Sequence, residues 1–125
     1  DGRTEIWIAG GVGITPFLAW LEDPASATQA PVTLFNFITP GRELPERLDL
    51  TALAARRGVE LVEVTTGPAT PSFRAHFARI VAQAGPAGVQ LSACGPKGLL
   101  AEVRRLMRET GVPDDALRHE LFEFR

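Results

Sequence analysis

The sequence has a single cysteine, no long hydrophobic run and no excess of basic residues. One cysteine excludes an internal disulfide and is compatible with a reducing compartment. No apolar run approaches the roughly 20 residues of a membrane-spanning helix, and no signal-like segment begins the chain. A net charge of −2 and a pI near 5.7 mean that the chain lacks the excess positive charge that binds nucleic acid or anionic lipid. We therefore expect a cytoplasmic domain that binds no nucleic acid and does not itself insert into a membrane.

The composition suits a single globular domain. The chain has 125 residues, of which 45% are hydrophobic and 22% charged, enough to bury one core. Asp1 lies only a few residues before the first apolar run, an abrupt start that indicates a fragment of a longer protein. We therefore treat residues 1–125 as one domain of a larger chain.

Apolar runs of strand length alternate with segments that carry helix signals, a pattern typical of a parallel sheet covered on both faces. We predict a doubly wound α/β domain with five parallel strands in the order 3-2-1-4-5 and helices on both faces. The predicted strands are Ile6–Ala9, Val32–Ile38, Val59–Val64, Val89–Ala93 and Leu117–Phe122.

The helices are predicted from their caps, breakers and apolar spacing. Thr15 is expected to cap the first helix, with Pro16 at its first helical position, and Ser72 to cap the third. The predicted helices are Thr15–Glu22, Leu50–Arg57, Ser72–Ala84 and a last one that carries Leu99, Val103 and Met107 and ends at Gly111.

The run IWIAGGVGITPF predicts a strand, a glycine turn and a helix start. Glycines permit positive φ and remove Cβ atoms that would hold a phosphate away from the backbone, and the helix then offers unpaired N–H groups. The alternative is that the glycines only make a tight turn. The predicted phosphate-binding residues are Gly10, Gly11, Val12, Gly13, Ile14, Thr15 and Pro16.

This turn departs from the usual dinucleotide-binding fingerprint. Pro16 occupies the third glycine position of GxGxxG, and the second strand ends in Phe37, Ile38 and Thr39, without the acid that would hold a ribose hydroxyl. An ordinary dehydrogenase is therefore disfavoured.

Three motifs in order resemble the NAD(P)H-binding domain of the ferredoxin-NADP reductase superfamily: GGVGITPF, CGPKGLL and HELFEF. The resemblance spans the whole chain. The segments WIAGGVGITPF and ELFEFR look most like the bacterial ferric-reductase and NADPH-oxidase-like branch.

The resemblance implies a module that binds NAD(P)H within a flavin-dependent oxidoreductase. Hydride would pass from NAD(P)H to FAD and on to a ferric, haem or iron-sulfur acceptor. FAD would be bound mainly by a domain upstream, and this branch also carries a haem-bearing membrane domain, which would put the full-length protein at the cytoplasmic face of the inner membrane. The isolated domain is expected to catalyse nothing.

Cys94, Gly95 and Pro96 follow the fourth predicted strand, which puts the thiol at the carboxyl edge of the sheet. The resemblance implies that this thiol lies against the nicotinamide; the alternative is a small core residue. A cysteine nucleophile is disfavoured because Leu100 stands where a cysteine phosphatase loop carries an arginine, although His119 could approach in space. One cysteine and two histidines that are far apart in sequence do not have the spacing of a tetrahedral zinc site.

By the same resemblance, Glu120 lies near the site of hydride transfer and Phe122 near the flavin ring. From pattern alone they belong equally to a final strand with core phenylalanines and solvated acids. The adenosine end is expected at Thr39, Arg42 and Thr66. Arg42 could reach a 2′-phosphate, and the alternative for it is a solvated loop charge. Thr39 and Thr66 replace residues that are often arginine in the family, which favours NADH slightly. A non-catalytic α/β module that binds a nucleotide or phosphate is the alternative function.

Overall fold

The computed structural model describes residues 3–23, 31–38, 49–65, 67 and 69–121. The strands are β1 (Thr4–Gly10), β2 (Val32–Phe37), β3 (Val59–Val64), β4 (Val89–Cys94) and β5 (Leu117–Leu121). The helices are α1 (Thr15–Glu22), α2 (Leu50–Arg56), α3 (Pro71–Ala84) and α4 (Lys97–Thr110). None of these described helices is long and apolar enough to cross a membrane.

The strands form one parallel sheet in the order β3-β2-β1-β4-β5. β1 therefore lies in the middle, which explains why its apolar run is continuous. The pairing of β4 with β5 is less regular, because the register shifts between Leu91 and Ser92. The predicted α/β alternation around a parallel sheet is confirmed.

Helices cover the two faces of the sheet in pairs. Alternate residues of a strand point to opposite faces, so β1 contributes Ile6 and Ile8 to one buried cluster and Trp7 and Ala9 to the other. The first cluster includes buried residues of α3 and α4, and we call this side the α3/α4 face. The second includes buried residues of α1 and α2 and is the α1/α2 face.

Aromatic contacts fix α1 on the sheet. The ring of Trp7 in β1 stacks on Phe17, with centroids 5.4 Å apart, and meets Trp20 edge-on at 4.9 Å. Such pairs stabilise packing beyond the burial of their area. Because α1 follows the glycine turn directly, these contacts also hold the turn against the sheet.

Two predicted helix caps are wrong. The chain enters α1 through a 3₁₀ turn, Gly11–Ile14, so the cap position is Ile14 in helical conformation and Thr15 is already the first helical residue. A capping side chain needs an extended residue at that point. In α3 the cap position is Thr70, Pro71 takes the first helical position and Ser72 the second.

We predict that Leu21→Ala will lower the free energy of unfolding by about 2–5 kcal/mol, because it opens a cavity in the α1/α2 face where Leu21 is fully buried. Urea denaturation followed by circular dichroism measures the change. The matched control is Glu22→Ala, which removes an exposed side chain from the next position and should cost less than about 0.5 kcal/mol. Equal losses in both variants would contradict the packing described for α1.

Candidate functional site

The glycine turn and the CGP segment meet at the carboxyl edge of the sheet. β1 and β4 are neighbours, and Ala9 pairs with Cys94. The chain leaves β1 towards α1 on one face and leaves β4 towards α4 on the other. Open α/β sheets bind ligands in the crevice at such a point, where successive connections diverge. The structure therefore brings together two motifs that are far apart in sequence.

The two loops touch through their backbones at Gly13. A Cβ atom added to Gly13 would overlap the carbonyl oxygen of Cys94 and lie 2.6 Å from its carbonyl carbon. Backbone atoms at the end of a buried strand have little freedom to retreat. Gly13 is therefore required for the contact between the loops.

Gly10 and Gly95 are similarly enclosed by the start of α4. A Cβ on Gly10 would lie 2.6 Å from Cδ2 of Leu99 and 3.3 Å from Cδ of Pro96, and one on Gly95 would lie 2.9 Å from the same leucine atom. The missing Cβ atoms at Gly10 and Gly13 thus make room for other protein atoms. The sequence interpretation assigned that space to a phosphate.

Gly11 has the opposite environment. It is exposed, has φ of +59°, and a Cβ built on it would meet nothing within 4 Å. The 3₁₀ turn that begins at Gly11 runs directly into α1, so the helical segment starts at the glycine turn instead of at Thr15. The N–H groups at the start of a helical segment have no partner within it and carry partial positive charge. Gly11 combines such a start with open space above its backbone.

The other predicted residues of the turn divide between core and surface. Ile14 is buried in the α1/α2 face, whereas Thr15 and Pro16 are exposed. Val12 lies within the 3₁₀ turn. On the second loop, Gly95 is buried and Pro96 is exposed.

Cys94 is a core residue on the α1/α2 face, only 3% exposed, in the same cluster as Trp7, Ala9 and Phe17. Burial raises the pKa of its thiol, so the sulfur stays protonated at neutral pH. A neutral, enclosed thiol is a poor nucleophile, which argues against covalent catalysis. Its predicted position against a nicotinamide stays a prediction.

The last strand reaches the same edge of the sheet. Glu120 pairs with Ala93, and Leu121 pairs with Cys94. The backbone at Glu120 is therefore on the strand next to β4, close to the CGP segment. Its role near the site of hydride transfer stays a prediction. Phe122, Thr39, Arg42 and Thr66 lie outside the described residues, and their roles stay predictions.

Sequence reasoning missed Asn36. It is 2% exposed, occupies the second-last position of β2 and pairs with Ala9. The signal was present as one amide in the apolar run VTLFNF. Its burial depends on the neighbouring strands, so the run alone did not reveal it.

A cavity of about 460 Å³ lies elsewhere, between β3 and α3, and its lining includes Thr65, Phe73, His76 and Arg79. Phe73 places it on the α3/α4 face. β2 separates β3 from β1, so this cavity is distinct from the crevice between the two loops.

No protein-family model matches the chain. A curated relative, the flavohemoprotein of Pseudomonas putida, is 32% identical over 124 residues. The match covers 94% of this chain and 31% of the relative. The chain therefore spans about a third of the length of that relative.

Solved structures show the same fold. Ferredoxin-NADP+ reductase from Plasmodium falciparum, solved with 2′P-AMP, superimposes with a TM-score of 0.65 at 13% identity, covering 98% of this chain and 53% of that one. The flavohem-like FAD/NAD binding domain of nitric oxide dioxygenase from Vibrio cholerae gives 0.63 at 18% identity, covering 98% and 52%. This chain thus has the fold of about half of each of these proteins.

We predict that Gly13→Ala will lower the free energy of unfolding by about 3 kcal/mol, because its methyl group overlaps the Cys94 carbonyl. The matched control is Gly98→Ala at the start of α4, where the added methyl group meets nothing within 4 Å. The control should leave stability unchanged or raise it slightly, since alanine favours helix. Chemical denaturation of both variants measures this, and a stable Gly13→Ala chain would contradict the loop contact.

We predict that the stability of the wild-type chain will fall relative to Cys94→Ala as the pH rises from about 7 to about 10. The raised pKa of Cys94 means that the folded state holds the thiol proton more tightly than the unfolded state does. This contribution is present below the pKa of the unfolded thiol and is lost as the pH rises through the folded pKa. Urea denaturation at both pH values measures it.

The same burial predicts slow reaction of Cys94 with DTNB in the folded chain and fast reaction in urea. Two results together would contradict the burial of Cys94. The free energy of unfolding would change with pH in the same way in the wild type and in Cys94→Ala, and DTNB would react rapidly with the folded wild type.

Proposed function

We propose that this chain is the nicotinamide-nucleotide-binding module of a flavin-dependent oxidoreductase. The observation that carries the proposal is the junction of the glycine turn with the CGP loop at the tips of β1 and β4. The fold shared with reductases and the flavohemoprotein relative support the same assignment. NAD(P)H would supply a hydride when bound, and this chain would hold the nucleotide in position for its transfer to FAD.

The pyrophosphate of the nucleotide would lie over Gly11. The open space above this residue is what a close approach of phosphate to backbone requires, and a side chain there would fill it. The helical start at Gly11 supplies N–H donors and the positive end of the dipole. The residues at this position therefore fit a dinucleotide phosphate.

The nicotinamide would lie towards the tip of β4, next to Gly95 and Pro96. Cys94, neutral and enclosed, would limit the space beneath the ring without forming a bond to it. The adjacent backbone of Glu120 is compatible with the role that the resemblance gives this residue. Phe122 beside the flavin belongs to the same proposal.

FAD would be bound mainly by another domain of the full-length protein, as in the family that the chain resembles. The flavohemoprotein relative and the two structural neighbours, a nitric oxide dioxygenase and a ferredoxin-NADP+ reductase, favour haem or an iron-sulfur protein as electron acceptor. A ferric acceptor and a haem-bearing membrane domain at the cytoplasmic face rest on the motif resemblance alone.

We predict that Gly11→Ala will weaken NADH binding about tenfold, or about 1.4 kcal/mol, because the methyl group enters the space assigned to the pyrophosphate. Isothermal titration calorimetry of the 125-residue chain with NADH and NADPH measures the affinity. The matched control is Gly58→Ala. Gly58 also has positive φ and open space, but lies between α2 and β3 at the opposite edge of the sheet.

Both substitutions place alanine in a left-handed conformation and should each cost about 1–2 kcal/mol of stability. Only Gly11→Ala should lose nucleotide affinity. Equal NADH affinity in both variants would refute the assigned phosphate site. If inorganic pyrophosphate or ADP bound as tightly as NADH, the non-catalytic phosphate-binding module would be favoured instead.

A further inference from the structure

We propose that Leu99, in the first turn of α4, sets the spacing between the glycine turn and the CGP loop and thereby positions the nucleotide across them. This inference rests on the proposed function. It adds a positioning residue that is itself buried beneath the loops and acts on the ligand through them.

Two neighbouring glycines leave a notch at the tips of β1 and β4. The last register pair of these strands is Ala9 with Cys94. The next residues, Gly10 and Gly95, lie side by side, because a Cβ atom built on Gly95 would be 3.3 Å from the backbone nitrogen of Gly10. Neither residue carries a side chain, so the space of two side chains is free for another part of the protein.

A single methyl group of Leu99 occupies this notch. Its Cδ2 atom lies 2.6 Å from the Cβ position of Gly10 and 2.9 Å from that of Gly95. Real Cβ atoms essentially never approach so closely, so the methyl group takes the place of both missing side chains and contacts both glycines. Leu99 is only 6% exposed and belongs to the α3/α4 cluster.

Leu99 is a second connection between the two loops. The contact of Gly13 with the Cys94 carbonyl joins them backbone to backbone. Leu99 joins them through a side chain whose volume a substitution can change. Close-packed interiors respond to such changes of volume, so removal of this methyl group would let the loops shift relative to each other.

The spacing of the loops matters for a ligand that spans both. In the proposed function the pyrophosphate lies over Gly11 and the nicotinamide lies next to Gly95 and Pro96. NADH then contacts both loops, whereas ADP lacks the nicotinamide and contacts the glycine turn without the CGP loop. The gain from a second contact depends on the separation of the two sites. A shift of the loops would therefore weaken the binding of NADH and leave that of ADP unchanged.

The test is calorimetric titration of the 125-residue chain with NADH and with ADP. The wild type should bind NADH more tightly than ADP. Leu99→Ala should weaken NADH binding about tenfold, a small part of what a second contact can contribute, and should leave ADP binding unchanged. Leu99→Met retains the side-chain volume and should keep the affinity for NADH.

Leu106→Ala is the matched control. Leu106 has the same side chain in the same buried cluster, is 3% exposed, and lies on α4 about 10 Å further from the loops. Both alanine variants should lower the melting temperature, because each opens a cavity. Leu106→Ala should keep the affinities for both ligands, which separates positioning of the loops from loss of stability.

A double variant tests the contact itself. Gly10→Ala should lower the melting temperature, because its methyl group overlaps Cδ2 of Leu99. The pair Gly10→Ala/Leu99→Ala removes the overlapping atom, so its loss should be smaller than the two single losses together.

Selective loss of NADH affinity in Leu99→Ala, with affinity kept in Leu99→Met and Leu106→Ala, supports the proposal. Unchanged NADH affinity in Leu99→Ala, or an equal loss for both ligands, overturns it. If Leu99→Ala does not fold, Leu99→Val, which also lacks Cδ2 but leaves a smaller cavity, decides by the same comparison. A wild type that fails to bind NADH would instead refute the proposed function, and this inference with it.

Discussion

The structure of the candidate site depends on one contact, that of Gly13 with the carbonyl group of Cys94. This contact joins the connection from β1 to α1 with the connection from β4 to α4. The two connections leave neighbouring strands for opposite faces of the sheet. Parallel pairing brings Ala9 beside Cys94, but the loops that follow can touch only where one of them carries no side chain. Any residue larger than glycine at position 13 would push apart the tip of β4 and the start of α1.

The three glycines of the turn have different surroundings. Gly10 and Gly13 are packed against the second loop, whereas Gly11 is exposed with open space around it. Packing of Trp7 on Phe17 holds α1 from below. The turn is thus fixed on its inner side and unobstructed on its outer side, the arrangement that a rigid backbone site for an anion requires.

The sequence allowed the sheet to be predicted well because parallel strands buried on both faces are continuous apolar runs. The predicted bounds of β3, Val59–Val64, are those of the structure. The caps at Thr15 and Ser72 were wrong because local patterns do not reveal a 3₁₀ turn before α1 or a helix that starts at Pro71. Asn36 was missed, and the separate roles of Gly10, Gly11 and Gly13 were not distinguished. Both depend on contacts between strands and loops distant in sequence.

The row of residues beneath the turn also limits how a ligand could be recognised. Asn36, Ala9 and Cys94 are adjacent on the α1/α2 face and all carry neutral side chains, the thiol because burial raises its pKa. A charge at this depth would cost several kcal/mol unless it were paired. Backbone N–H groups and a helix dipole attract an anion but do not identify the sugar or ring attached to it. Recognition by this row of side chains must therefore come from shape and from uncharged hydrogen-bonding groups.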